Sequence, residues 1–166
     1  GYNPYRWVML LFLWLGSTAQ GLTYMSTPPM EIPVSRELGL SAAQIAIWVN
    51  IAFVMSIFFS IPAGLLADRF EMKKYAGVGL ALLGIFALLR GYTNTFPTLM
   101  FVSALSAVGW VIFFTSIPRI IRSWFPPSEV GTAMGVVFAG YGVGSAVGIA
   151  LSRPLFGSDW RRSFAA

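Results

Sequence analysis

Cysteine and histidine are both missing from the 166 residues, and charged side chains make up only 10% of them. Without thiols there are no disulfides and no thiolate ligands, and without imidazole the usual general base near neutral pH is gone. The redox compartment is left open by the same absence. A soluble domain carries roughly 25% charged residues, whereas here 57% are hydrophobic and the mean hydropathy is +0.73. These features describe a membrane chain.

A helix rising about 1.5 Å per residue needs roughly 20 residues to cross about 30 Å of hydrocarbon. Five runs reach or approach that length: Trp7 to Thr27, Ile45 to Ala67, Tyr75 to Leu89 with Arg90 at its end, Thr98 to Pro118, and Val130 to Ser152. The breaks carry turn chemistry and read as loops: "TPPMEIPVSRELGLS" (27–41), "DRFEMKK" (68–74), "GYTNTFP" (91–97) and "RIIRSWFPPSE" (119–129). The expected fold is an all-α integral membrane bundle with five transmembrane helices, at about 6–27, 42–67, 73–90, 97–121 and 129–152. Residues 153–166 read as a loop and the start of a sixth helix. The chain starts without methionine and stops within that element, so it is expected to be a piece of something longer. The first run is too long for a signal peptide and no small-residue cleavage site follows it.

The net charge is +5, but the cations stand at segment ends, where flanking charge sets topology. The expected partner is the lipid bilayer, not nucleic acid. With the N-terminus cytoplasmic in an inner or plasma membrane, the inside segments hold Arg6, Arg69, Lys73, Lys74, Arg119 and Arg122, against Arg36 and Arg90 outside before Ser152. Arg153, Arg161 and Arg162 in the tail would make the outside count five. The expected orientation discounts that tail.

The stretch "GLLADRFEMKK" (64–74) crowds Asp68, Arg69, Lys73 and Lys74 behind the second run. Gly64 and Asp68 are four residues apart and share one face of a helix end. A neighbouring helix could approach at Gly64 and offer its N-terminal dipole to the carboxylate, which makes a breakable latch. In the fifth run Gly140, Gly144 and Gly148 recur every four residues, a stripe that lets backbones pack closely.

The pattern from Gly64 to Lys74 resembles the loop signature that follows the second helix in the major facilitator superfamily of secondary transporters. "RSWFPPSEVGTAMG" (122–135), with Arg122, Glu129 and Gly131, is similar to that family's loop between helices four and five, and "DWRRSF" (159–164) to the Trp-Arg opening of helix six. The resemblance covers nearly the whole chain and implies the amino-terminal bundle of a roughly twelve-helix fold, cut at helix six. It also implies a partner, a carboxy-terminal bundle on the same or a separate chain, and a small-molecule substrate moved by alternating access. Four positions depart from the family pattern. Glu71 stands for a glycine and Met72 for a cation in the loop, Ser145 for the proline of the antiporter motif, and Leu105 for an arginine before Gly109. Ser145 argues against a drug and proton exporter, Leu105 against a proton relay built on that arginine, and the loop keeps Asp68, Arg69, Lys73 and Lys74 without the full charge set.

The first run carries a polar stripe of Ser17, Gln20, Tyr24 and Thr27, and the fourth has Ser103, Ser106, Trp110 and Phe113 on one face; Asn50 lies in the second. In the resembled fold, helices one and four line the central cavity and the second borders it, which makes Gln20, Tyr24, Asn50, Trp110 and Phe113 candidates for substrate contact. The bland alternative is interhelical hydrogen bonding and packing. Arg90 and Arg119 stand near helix ends, where snorkelling to the interface accounts for a cation more readily than substrate binding does. Arg119 follows Pro118 and is also a candidate for meeting an anionic substrate at the cavity floor. "PYRW" (4–7) and "WFPPSEVGTAMG" (124–135) are most similar to the branch carrying small anions and organic acids. Nitrate porters have an arginine in helix two and Ile45 to Ala67 has none, which argues against nitrate.

No acidic residue lies inside the five runs. Intramembrane carboxylates mark proton and cation pathways, so any coupling group is expected elsewhere, or the solute moves down its gradient or in exchange. An enzyme is the poorest reading, since no nucleophile and base pair can be named, and no cofactor is implied. The rival from another class is a non-transporting membrane scaffold or assembly subunit with the same half-fold. The two differ in the cavity, which is wet in a transporter and filled by lipid or protein in a scaffold.

Overall fold

Ser41 opens the second long helix with a capping box: its hydroxyl accepts from the Gln44 amide N–H while the Gln44 side chain accepts from the Ser41 N–H. Thr95 and Thr98 build the same box at the start of the fourth long helix. The computed structural model describes residues 4–156 and 159–165, and within these the regular elements are helical. They run α1 (Arg6–Met25), α2 (Thr27–Leu38), α3 (Ala42–Ala67), α4 (Met72–Leu89), a short 3-10 turn (Arg90–Tyr92), α5 (Phe96–Trp124), α6 (Val130–Phe156) and α7 (Trp160–Ala165). Five stretches are long and apolar enough to span a membrane, the first being α1 and α2 taken together.

The stretch 27–41, read from sequence as a loop, is instead helical through Leu38. Its prolines explain the misreading. Pro28 and Pro29 fall in the first turn, where no N–H is owed to a preceding carbonyl, so they start a helix as readily as they break one. Pro33 sits inside α2, and the helix closes only at Gly39, which takes the left-handed conformation at φ 64°.

Chain direction sorts the helix ends onto two faces. The starts of α1, α4 and α6 and the ends of α3 and α5 form the near face; the remaining ends, with α2 and α7, form the far face. Three pairings hold the bundle: α1 against α6, α4 against α5, and α3 against α5. The first is a backbone-to-backbone contact. A Cβ at Gly140 would stand 2.6 Å from the Trp14 carbonyl, one at Gly148 2.8 Å from the Leu22 carbonyl, and one at Gly144 would collide with the Thr18 carbonyl. The stripe read from the sequence thus faces α1.

The apolar core comes in two parts. Leu10, Leu13, Phe113, Ile117, Phe125 and Val137 pack beneath the near face. Met30, Val34, Trp48, Leu99, Trp160 and Phe164 pack beneath the far face. Between them lie buried polar residues, among them Ser17, Gln20, Ser106 and Arg90. Ser106 donates to the Leu83 carbonyl at 3.2 Å, and the Trp48 indole donates to Ser103 Oγ at 3.1 Å. This polar slice holds the candidate site.

Candidate functional site

Two adjoining cavities occupy the slice. The smaller, about 10 Å³, is bounded by Gln20, Thr23, Tyr24, Arg90, Ser106 and Trp110, with Ala52, Leu83 and Ala107 behind them. The larger, about 240 Å³, is bounded by Ser17, Gln20, Trp110, Phe114, Ile117, Phe138 and Tyr141. Gln20 from α1 and Trp110 from α5 belong to both walls. These are positions of the sequence's polar stripes, on helices that do not pack heavily on each other.

Arg90 is the residue that sequence reasoning missed. Read as a cation snorkelling to the interface, it is instead 7% exposed, and its Nε has no hydrogen-bond partner. A guanidinium out of water and without a counter-charge is costly. No side-chain carboxylate pairs with it among the described residues. Nothing in the local pattern "LLRGYTN" announces this. Burial is imposed by Tyr24 and Trp110 from other helices, together with the turn at Arg90–Tyr92. Ser17 Oγ and Gln20 Nε2 are likewise buried and unpartnered.

The other cavity candidates lie elsewhere. Asn50 is exposed and donates back to the Ala46 carbonyl at 2.9 Å. Phe113 is packed into the near-face core, where a Cβ on Gly16 would meet its ring at 2.6 Å. Arg119 sits at the near face, with Nη1 2.6 Å from Asp68 Oδ1 and Nη2 donating to the Gly64 carbonyl at 3.2 Å. Within this bundle Asp68 pairs with a side chain of α5, and among the described residues nothing packs on the side of Gly64 where a Cβ would stand.

Further ion pairs tie the near face. Arg6 forms an ion pair with Glu129 at 3.0 Å and lies 5.5 Å from the centre of the Phe125 ring, joining α1 to the start of α6. Lys74 pairs with Glu71 at 2.7 Å on an exposed turn, and Lys73 stands 4.7 Å over the Trp124 ring. Arg69, Arg122 and Gly131 are exposed. Arg122 borders a shallow hollow with Phe125, Pro127 and Val130.

The far face is held by one clasp. The Trp160 indole donates to Glu37 Oε2 at 2.6 Å. Arg161 donates to Glu37 Oε1 from Nη2 at 2.8 Å and to the carbonyls of Thr93 and Gly91 at 2.7 and 3.3 Å. The clasp thus joins α2, α7 and the turn that carries Arg90.

Residues 13–166 match the family described as the Major Facilitator Superfamily. Among curated proteins the chain is 25% identical over 151 residues to the probable chloroplastic anion transporter 4 of Oryza sativa subsp. japonica, covering 90% of this chain and 26% of that protein. It is 26% identical over 164 residues to the probable galactarate/D-glucarate transporter GarP of Escherichia coli K12, covering 92% of this chain and 35% of that protein. The chain therefore spans about a quarter to a third of the length of these relatives. The fold is similar to the crystal structure of a bacterial homolog of the human lysosomal transporter Spinster, with a TM-score of 0.87 and 23% identity over 95% of this chain and 33% of that one.

Proposed function

The chain belongs to the Major Facilitator Superfamily, and from that premise we propose that it forms most of the first half of a secondary carrier for a small organic anion. The observation that carries the reading is Arg90, a buried guanidinium without a counter-charge, facing a cavity in the polar slice. A carboxylate entering there gains a charge-assisted pairing where water is excluded. The two relatives described above are named for an anion and for two sugar acids, which agrees with that chemistry. Unsatisfied polar walls also favour a carrier over a scaffold, which would fill this space with lipid or protein.

Alternating access needs a second bundle, which rocks against this one around a midplane site. In this reading Gln20, Tyr24 and Trp110 shape the site, and the Asp68–Arg119 pair is the near-face gate, made when the α3 and α5 ends are together. The near face is cytoplasmic.

The test is uptake of small organic anions by the intact native polypeptide in proteoliposomes. Arg90→Gln is expected to raise KM at least about tenfold, the scale of one lost charge-assisted hydrogen bond; Arg90→Lys, which keeps the charge, should recover part of the loss. An unchanged KM for a transported anion in Arg90→Gln would overturn the reading.

A further inference from the structure

Trp160 and Arg161 open α7, and both reach Glu37 near the end of α2. Arg161 uses its guanidinium for two different purposes. Nε and Nη2 donate to Glu37 Oε1 at 3.2 and 2.8 Å, while Nη1 donates to the Thr93 and Gly91 carbonyls at 2.7 and 3.3 Å. Those carbonyls belong to the turn that ends α4, where main-chain oxygens run out of helical N–H groups to accept from. A planar fork of five donors meets a carboxylate on one edge and main-chain acceptors on the other; an ammonium does not. Trp160 gives the arginine a fixed base, since its ring is 1% exposed and packs with Met30, Val34 and Trp48.

The same turn carries Arg90. Thr93 closes it on the Arg90 carbonyl through its amide, at 3.2 Å, and its hydroxyl, at 2.8 Å. A chain of bonds thus runs from Glu37 through Arg161 and Thr93 to the main chain of Arg90. One end lies at the surface, with the side chains of Arg161 and Glu37 31% and 49% exposed; at the other, Thr93 and Arg90 are buried. Ion pairs so exposed add little to the stability of a fold. Placement is where this one has leverage. The Arg90 guanidinium stands at the end of a long side chain beside a cavity of only about 10 Å³, so a small rotation of the turn carries it away from Tyr24 and Trp110. Binding groups hold their geometry only as well as the groups behind them do.

We propose that Glu37 and Arg161 are positioning residues for Arg90: from the far surface they fix the turn from which its guanidinium meets the small cavity. What Arg90 binds there rests on the anion reading, whereas its placement by the clasp does not.

Phenylglyoxal, which adds to guanidinium groups, tests the placement on the intact native polypeptide in detergent, with modified sites read by mass spectrometry. Arg90 is expected to react slowly in the parent chain. In Glu37→Gln and in Arg161→Lys it should react roughly tenfold faster, the scale of one lost charge-assisted hydrogen bond, while Arg6 and Arg119 at the near face keep their rates. An unchanged rate at Arg90 would overturn the proposal, and so would equal acceleration at Arg6 and Arg119, which is the mark of a loosened fold. Uptake of D-glucarate by proteoliposomes supplies the second readout. Each clasp variant should raise KM about tenfold with the maximal rate retained, and should add nothing in an Arg90→Gln background. An additive loss in that background would overturn the proposal and leave the anion reading standing. Faster modification of Arg90 in the clasp variants, with uptake indifferent to Arg90→Gln, would overturn the anion reading and leave the placement standing.

Discussion

Arg90 and Arg119 are both arginines at the end of an apolar run, and tertiary structure gives them opposite fates. Arg119 reaches Asp68, on which it closes at 2.6 Å, and the Gly64 carbonyl; Arg90 is sealed beside Tyr24 and Trp110 with its Nε unpaired. Sequence spacing treats them alike, since it reports distance from a helix end but not which other helix covers that end. Gln20, Tyr24 and Trp110 do border the cavities, although their helical spacing in an apolar segment suits interhelical packing equally well. Asn50 looked the same and is exposed, bonded to its own helix. The Asp68–Arg119 pair is partly exposed, so its loss should change stability by no more than about 1 kcal/mol. As a gate its effect is larger. Asp68→Asn and Arg119→Gln are each expected to slow uptake roughly 5- to 150-fold, the usual span of a conformational coupling, with the melting temperature in detergent nearly unchanged. The exchanged pair Asp68→Arg with Arg119→Asp should restore part of the rate, and uptake as slow as in the single variants would remove the gate.

At the scale of elements, the glycines divide by what faces them. Gly144 meets the Thr18 carbonyl, and Gly109 of α5 meets the backbone of α4 at Leu83. Gly84 and Gly142 face open space. Gly144→Ala must therefore push α1 and α6 apart, at a cost of about 1–3 kcal/mol or more from overpacking. Gly84→Ala removes only backbone freedom, which favours the helix by up to about 1 kcal/mol. Thermal melts in detergent are expected to fall for Gly144→Ala and to hold or rise for Gly84→Ala. Equal shifts would mean that the stripe does not set the contact. The four-residue recurrence of Gly140, Gly144 and Gly148 made this packing readable beforehand. The helix α2 was not readable, because Pro28 and Pro29 signal a turn and a helix start with equal strength, and only Met30 and Val34 buried against Trp48 decide for the helix.

At the scale of the whole molecule, five spans follow from hydropathy because length and charge content decide them without reference to neighbours. Which span touches which does not follow, since α1 packs on α6 across more than a hundred residues of chain and nothing in one segment names its partner. The sidedness proposed above rests on charge at the loop ends, and the missing cysteines make it simple to test. Lys74→Cys is expected to react with a membrane-impermeant maleimide only when the cytoplasmic side is opened, and Asn94→Cys only from the other side; the reverse pattern would invert the orientation.

Arg90 finally bears on voltage. An elementary charge crossing the full membrane field exchanges about 2.3 kcal/mol per 100 mV. Arg90 lines the smaller cavity and no other cation lines either one, so a monoanion bound as proposed would cancel the positive charge of this half of the interior. In the carrier proposed above, the empty bundle, still holding its positive charge, would be the form on which the membrane voltage acts.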